Sequence, residues 1–176
     1  MLENKLLEIK ARIKDVCATR KKLLDLKALY IGTFHQIDTY FNAPKGRLKV
    51  REIEGSDKAE IIYYERMDVS GPKRSDVTII EVQKKESFKM FFGKILGKKI
   101  VVDKNRDIFR YKGTQIHLDI VQKLGKFIEF EREIKNLYKD QKILLELINK
   151  FELKNKDLFK GSYSDIILEK ANNYRI

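Results

Sequence analysis

Residues 116–131, IHLDIVQKLGKFIEFE, contain two short runs in which apolar and polar side chains alternate. Successive side chains of a β-strand point to opposite faces. The first run therefore places His117 and Asp119 on one face, and the second places Glu129 and Glu131 on one face. The stretch predicts two β-strands, each with an apolar face and a polar face.

The same period-two pattern recurs along much of the chain. It is found in residues 7–13, 47–51, 61–66, 77–79 and 100–111. Apolar residues at helical spacing predict four helices, over residues 15–29, 86–96, 137–152 and 163–172. About eight strands with so few helices favour an antiparallel barrel or a strongly curved sheet, in the α+β class.

The composition excludes several classes of protein. The chain has 176 residues, 38 Lys or Arg and 26 Asp or Glu, for a formal net charge of +12. This length suits one domain over residues 1–176. Since no apolar run approaches the ~20 residues of a membrane span and the start MLENKLLEIK is charged, we expect a cytoplasmic protein without a membrane partner. One cysteine and two histidines exclude a disulfide framework and a Cys/His zinc site.

Charged residues on the predicted strands are sorted by sign. Like charges two residues apart share a strand face at four places: Lys10 and Arg12, Lys49 and Arg51, Lys104 and Arg106, Glu129 and Glu131. Such pairs repel, and fold stability does not require them. A solvated sheet face would explain any single pair, but the whole set indicates that each face meets an oppositely charged ligand. Several cations suit a polyphosphate, and several carboxylates suit Mg²⁺ or Mn²⁺ bridged to that phosphate.

Seven segments, in order, resemble the CYTH proteins, also called triphosphate tunnel metalloenzymes. They are LEIKARI (7–13), HQIDTYF (35–41), GRLKVRE (46–52), IIYYERMD (61–68), VVDKNRDIF (101–109), IHLDIVQKLGKFIEFE (116–131) and GSYSDIIL (161–168). The family includes class IV adenylate cyclases, thiamine triphosphatases and inorganic triphosphatases. The resemblance implies an eight-stranded antiparallel β-barrel that forms a tunnel, with helices packed outside.

The resemblance also implies roles for individual residues. The phosphate-binding cations would be Lys10, Arg12, Lys49, Arg51, Arg66, Lys104 and Arg106. The ligands of Mg²⁺ or Mn²⁺ would be Glu8, Asp119, Glu129 and Glu131, and the catalytic group would be Glu8, Lys10, Glu129 and Glu131. Leu6 departs from the family, because it stands where the N-terminal Glu-x-Glu-x-Lys signature has its first glutamate. We expect His117 to be a structural group rather than a base or a phosphate contact.

Three functions stay open from the sequence. The first is metal-dependent hydrolysis of a triphosphate, either inorganic tripolyphosphate, thiamine triphosphate or a nucleoside triphosphate. The second is an adenylate cyclase, in which the ribose 3′-hydroxyl of ATP attacks the α-phosphate and pyrophosphate leaves. The third is a non-catalytic binder of polyphosphate, nucleotide or RNA 5′-triphosphate, which Leu6 and the net charge of +12 favour. The expected partner is a small triphosphate, nucleic acid is not expected beyond an RNA 5′-triphosphate, and a monomer and a homodimer fit equally.

Overall fold

The computed structural model describes residues 1–173 and contains a closed β-barrel. Its eight strands are β1 (Leu2–Arg12), β2 (Leu29–Phe41), β3 (Arg47–Ile53), β4 (Ala59–Arg66), β5 (Lys73–Val82), β6 (Lys98–Tyr111), β7 (Thr114–Val121) and β8 (Gly125–Glu133). They pair in the order β1-β5-β4-β3-β2-β6-β7-β8, and each pair is antiparallel. The predicted eight-stranded antiparallel barrel is confirmed.

Strand β1 closes the barrel, because it pairs with β5 on one side and with β8 on the other. In this register Glu8 lies opposite Lys73 of β5 and opposite Glu131 of β8. Lys10 lies opposite Glu129. Closure therefore brings the first charged strand of the chain beside the acidic strand near its other end.

The largest hydrophobic core lies on the outer side of the barrel. Alternate residues Leu7, Ile9 and Ala11 of β1 belong to this core together with Leu144 and Leu147 from a helix. Packing against helices removes the apolar face of these strands from water. The opposite face of the same strands then points into the barrel, and it carries the charged residues.

Within residues 1–173, four α-helices accompany the barrel: α1 (Val16–Asp25), α2 (Lys85–Leu96), α3 (Leu137–Lys150) and α4 (Tyr163–Asn173). The helix predicted over residues 15–29 is too long. It ends at Asp25 because Lys27 adopts a left-handed conformation with φ of 57°, as is common just beyond a helix C-terminus. Leu29 then begins β2. No helix within residues 1–173 combines the length and the apolar character that crossing a membrane requires.

The segment before α4 lies across one end of the barrel. The Phe159 N–H donates to the Lys10 carbonyl at 2.9 Å, and Lys73 Nζ donates to the carbonyls of Phe159 and Lys160 at 2.5 and 2.9 Å. Lys10 lies near the end of β1, and Lys73 begins β5. These bonds place Tyr163, at the start of α4, among the residues of the barrel interior.

Candidate active site

The barrel interior encloses a cavity of about 110 Å³ whose lining is densely charged. Six cationic side chains line it: Lys10, Lys49, Arg51, Arg66, Lys104 and Arg106. Four carboxylates line it as well: Glu8, Asp38, Glu129 and Glu131. Tyr40, Tyr64, Tyr163, Ser75 and Ser162 complete the polar part of the wall. Charges in such an enclosure are screened less than on an open surface, so the cavity suits a small ion of high charge.

Asp38 is the centre of one charge cluster. Its carboxylate accepts hydrogen bonds from Lys104 Nζ at 2.6 Å, from Lys49 Nζ at 2.9 Å and from Arg51 Nε at 2.8 Å. Burial by itself favours the neutral acid, but the three neighbouring cations outweigh burial and hold the pKa of the Asp38 carboxyl well below its usual range. Within the lining, one carboxylate therefore faces three cations, and this part of the cavity has excess positive charge.

Burial and crowding lower the pKa values of the two lysines in the Asp38 cluster, Lys49 and Lys104. Burial, followed by repulsion from Arg51, lowers the pKa of Lys49 to about 8, even though Asp38 opposes the change. Burial also holds the pKa of Lys104 well below its usual value. A bound anion would favour the charged form of both lysines, so anion binding at this cluster should be linked to proton uptake.

Glu129 forms the second cluster, on the strand next to β1. It accepts from Lys10 at 2.7 Å and from Arg106 Nη2 at 2.8 Å. Burial alone would raise the pKa of the Glu129 carboxyl, but Lys10, His117 and Arg106 together hold it well below its usual range. Glu129 is therefore a charged, fully paired carboxylate in this structure.

Glu8 and Glu131 place two further carboxylates beside Glu129. They lie directly opposite each other across β1 and β8, where like charges are unfavourable. Glu8 pairs with Arg66. Burial nevertheless raises the pKa of the Glu8 carboxyl, and the nearby charges of Glu129 and Glu131 add to the rise.

His117 is a buried group with a hydrogen-bond partner for each ring nitrogen, as expected for a structural role, and it lies beside the carboxylates. One ligand atom from each of His117, Glu129 and Glu131 lies within 4.8 Å of the others. His117 Nδ1 lies 3.3 Å from Glu129 Oε2, and its Nε2 lies 2.8 Å from the amide nitrogen of Gln115. With the amide donating to Nε2, Nδ1 carries the proton and donates to Glu129. His117 then orients Glu129.

The donor set suits the metal that the resemblance implies. Carboxylate oxygens are the hard ligands that Mg²⁺ and Mn²⁺ prefer. Repulsion between the opposed Glu8 and Glu131 side chains would turn into attraction if a cation lay between them. Glu8, Glu129 and Glu131 are therefore the residues that could hold a divalent ion.

Most of the predicted site residues line the cavity, and two do not. Arg12 is exposed at the end of β1, where its guanidinium donates to the Leu124 carbonyl at 2.8 Å and stacks 5.0 Å from the centre of the Phe127 ring. Asp119 is fully buried, and Arg106 bonds both of its oxygens at 2.7 Å. The Tyr163 hydroxyl donates to it as well, at 2.6 Å. The structure therefore corrects both predictions: Arg12 lies at the end of β1 outside the cavity lining, and Asp119 is covered by Arg106, which it orients.

Asp38 and the tyrosines of the lining were not predicted. Asp38 lies in HQIDTYF, on the same strand face as Gln36 and Tyr40, and this face offers a single acid without a like-charged neighbour. A lone acid on a strand is typical of a solvated face. Pairing of β2 with β3 and β6 puts Asp38 beside the cations, and this pairing is not visible in the local pattern.

Comparisons with known proteins agree with this geometry. A family model described as the CYTH domain matches residues 4–163. A Methanocaldococcus jannaschii protein, provisionally named an adenylate cyclase, is 23% identical over 172 residues, which cover 90% of this chain and 96% of that protein.

Solved structures share the fold. A Pyrococcus horikoshii protein is 27% identical with a TM-score of 0.83, covering 91% of this chain and 98% of that one. A Hippeastrum protein, named provisionally as an adenylyl cyclase with a dominant triphosphatase activity, is 14% identical with a TM-score of 0.61, covering 95% of this chain and 96% of that one. Since the CYTH model spans nearly the whole barrel and the barrel interior has the charges of a triphosphate tunnel, the chain belongs to the CYTH domain family.

Proposed function

We propose that this protein is a metal-dependent enzyme that binds a triphosphate in the barrel and hydrolyses it. The observation that carries the proposal is the composition of the cavity wall. Three cations share Asp38 in one part of the wall, and three carboxylates on the neighbouring strands β1 and β8, Glu8, Glu129 and Glu131, line another. A triphosphate with a divalent ion needs both parts.

The cations would bind and align the phosphates. Arg51 and Arg66 offer planar groups that match phosphate oxygens, and Lys49 and Lys104 offer point charges beside them. Lys10 and Arg106 line the same cavity as the other cations, and each bonds Glu129. They therefore connect the phosphate-binding cations with the carboxylates. A chain of phosphates held by this set would be fixed in one orientation, which is most of what phosphoryl transfer requires of a protein.

The carboxylates would hold Mg²⁺ or Mn²⁺, which, when bound, neutralises charge on the phosphoryl oxygens. The three carboxylates would also position the attacking water, and Glu8 or Glu131 would accept its proton, because both oxygens of Glu129 are already paired with Lys10 and Arg106. The water oxygen forms a bond to the terminal phosphorus, and the bond from that phosphorus to the bridging oxygen breaks. Orthophosphate and the shortened phosphate chain leave.

Adenylate cyclase activity is the second candidate, and the name of the Methanocaldococcus jannaschii relative favours it. The two reactions differ in the phosphorus attacked and hence in the products. Incubation with ATP and with tripolyphosphate, in Mg²⁺ or Mn²⁺, followed by ³¹P NMR, separates them. We expect orthophosphate from both substrates. Formation of cyclic AMP and pyrophosphate from ATP would show that the protein is a cyclase and not a hydrolase. Tight binding of both substrates without turnover would show that it is a non-catalytic binder.

Removal of Arg51 tests the phosphate-binding role. Arg51→Ala should weaken tripolyphosphate binding by about 1.5–3 kcal/mol, the range for a hydrogen bond to a charged group. Titration calorimetry measures the change. Arg74→Ala is the matched control, because Arg74 is exposed on the outer face of β5 and its loss changes the net charge equally. Equal affinities in the two variants would show that the barrel interior does not bind the anion.

The lowered pKa of Lys49 makes binding dependent on pH. Above a pH of about 8 the Lys49 amine of the free protein is largely neutral, and a bound anion would return it to the charged form. Tripolyphosphate binding at pH 8.5 should therefore take up protons, and affinity should fall as pH rises further. Calorimetry in buffers of different ionisation enthalpy measures the uptake. Lys49→Met keeps the length of the side chain, and an unchanged uptake in that variant would contradict the assignment.

A further inference from the structure

Helix α2 lies on the outside of the barrel, and none of its residues is buried. One side of the helix packs against the outer face of the barrel, around Phe41 and Val50, through Phe88, Phe92 and Leu96. These three residues recur at the four-residue spacing that places side chains on one face of a helix. The helix is therefore attached along a single stripe, and its remaining faces point away from the barrel.

The side of α2 that points away from the barrel is also apolar. Met90, Phe91 and Ile95 are 73%, 57% and 57% exposed. A surface helix of a globular protein normally turns polar side chains toward water, and apolar residues all round a helix are typical of a helix that is covered on both sides. Exposed apolar side chains grouped on one element indicate an interaction site.

Lysines surround these apolar side chains. Lys94 lies three residues after Phe91, on the same side of the helix. Glu86 of the helix and Glu52 of β3 both pair with Lys89, at 2.7 and 2.8 Å, so neither acid is free. Four exposed lysines in the helix or next to its ends pair with no acid among residues 1–173: Lys84, Lys94, Lys98 and Lys99. We call these four lysines and the three exposed apolar side chains the α2 surface.

The charge of the α2 surface indicates an anionic partner. A second copy of the chain would bring the same unpaired lysines together around a two-fold axis, which is unfavourable. A small anion would leave the apolar side chains uncovered. Lysines next to Phe, Met and Ile are typical of helices that lie in the surface of a bilayer with anionic lipids. There the lysine stems lie along apolar matter while the ammonium groups reach the phosphates.

We propose that the α2 surface binds the face of a membrane that contains anionic phospholipids. Met90, Phe91 and Ile95 enter the headgroup region, the lysines contact lipid phosphates, and the barrel stays in water. The expectation of a protein without a membrane partner rested on the lack of an apolar run long enough to span a bilayer, and binding at the bilayer surface requires no such run.

Tryptophan fluorescence tests whether α2 itself enters the bilayer surface. The chain contains no tryptophan, so Phe91→Trp adds a single probe within the α2 surface. Vesicles of phosphatidylcholine mixed equally with phosphatidylglycerol should shift its emission to the blue, because the indole leaves water. Vesicles of phosphatidylcholine alone should cause little shift. Unshifted emission of Phe91→Trp with the mixed vesicles would overturn the proposal.

Tyr138→Trp is the matched control for the fluorescence measurement. Tyr138 is 79% exposed on α3. This helix packs against β1, which is four strands from β2 around the barrel, whereas α2 packs against β2 and β3. The emission of Tyr138→Trp should therefore stay the same with both kinds of vesicle. An equal blue shift in the two variants would contradict α2 as the site of contact.

Sedimentation with the same vesicles separates the apolar contribution from charge. Phe91→Ser combined with Ile95→Ser should weaken binding to the mixed vesicles about tenfold or more, through lost burial of two apolar side chains. Leu137→Ser with Tyr138→Ser is the control, since both residues are exposed on α3, and it should bind as the parent does. Equal binding by all three proteins would show that the net charge alone adsorbs the chain, and would overturn the proposal, as would failure of the parent to bind. If the α2 variant does not fold, the fluorescence of Phe91→Trp decides.

Discussion

Replacing Asp38 by asparagine should lower the free energy of unfolding by about 3–5 kcal/mol, the cost of removing one partner from a buried ion pair. Asp38 is 1% exposed and is bonded by Lys49, Arg51 and Lys104. Asparagine keeps the size of the side chain and removes its charge, so three buried cations would face one another without their shared carboxylate. Urea denaturation measured by circular dichroism gives the difference.

Tripolyphosphate should restore much of the stability lost in Asp38→Asn, because it brings negative charge to the same cations. The rise in melting temperature on adding tripolyphosphate should thus be larger for the variant than for the parent. Asp103→Asn is the control, since Asp103 also pairs with a basic side chain, His35, but lies partly exposed outside the cavity lining. An unchanged free energy of unfolding in Asp38→Asn would contradict the claim that the Asp38 carboxylate stabilises the fold by pairing with these cations.

Replacing Glu131 by glutamine should reduce metal-dependent turnover by about 100-fold or more, because a divalent ion contributes several kcal/mol to the transition state. Glu131 is the most weakly paired of the three carboxylates, because among the described residues it pairs with no Lys or Arg, and the His117 Nδ1 atom lies 3.8 Å away. Its neutralisation also removes the repulsion with Glu8, so the metal-free variant should be at least as stable as the parent. Phosphate release and thermal melting, each measured at several Mg²⁺ concentrations, report the two effects.

Glu133→Gln is the control for Glu131→Gln. Glu133 is two residues further along β8 and is exposed, so its loss should leave turnover near the level of the parent. Tripolyphosphate binding without metal should survive in Glu131→Gln, since the cations of the Asp38 cluster are unchanged. Turnover at the rate of the parent in Glu131→Gln would contradict a metal held by these carboxylates.

Local pattern in the sequence was enough to locate seven of the eight strands, all but β2, and the shared faces of their charged residues. Lys49 and Arg51 lie two residues apart, and a strand puts both on one side whatever its neighbours are. The same holds for Glu129 and Glu131. Because these relations lie within single strands, they survive in the structure, where all four side chains line the cavity. Their metal-binding and phosphate-binding roles are predictions that the experiments above test.

Relations between strands were decided by the tertiary structure. Asp38 meets Lys49 and Arg51 because β2 pairs with β3, and it meets Lys104 because β2 also pairs with β6, 66 residues away along the chain. The position of a residue along its strand also decided whether its side chain lines the cavity. Arg12 has the parity of Lys10, yet β1 ends there, and its guanidinium lies over the Phe127 ring instead of lining the cavity.

Asp119 shows the same division between sequence and structure. Its strand parity correctly places it on the inner face, but the side chain that covers it, Arg106, comes from β6, and the hydroxyl that completes its bonds comes from Tyr163 in α4. Alternation along a strand states which side chains share a face. It contains no information on which distant strand lies alongside, and in a buried, low-dielectric interior that neighbour decides whether a carboxylate pairs with a cation or stays open to a ligand.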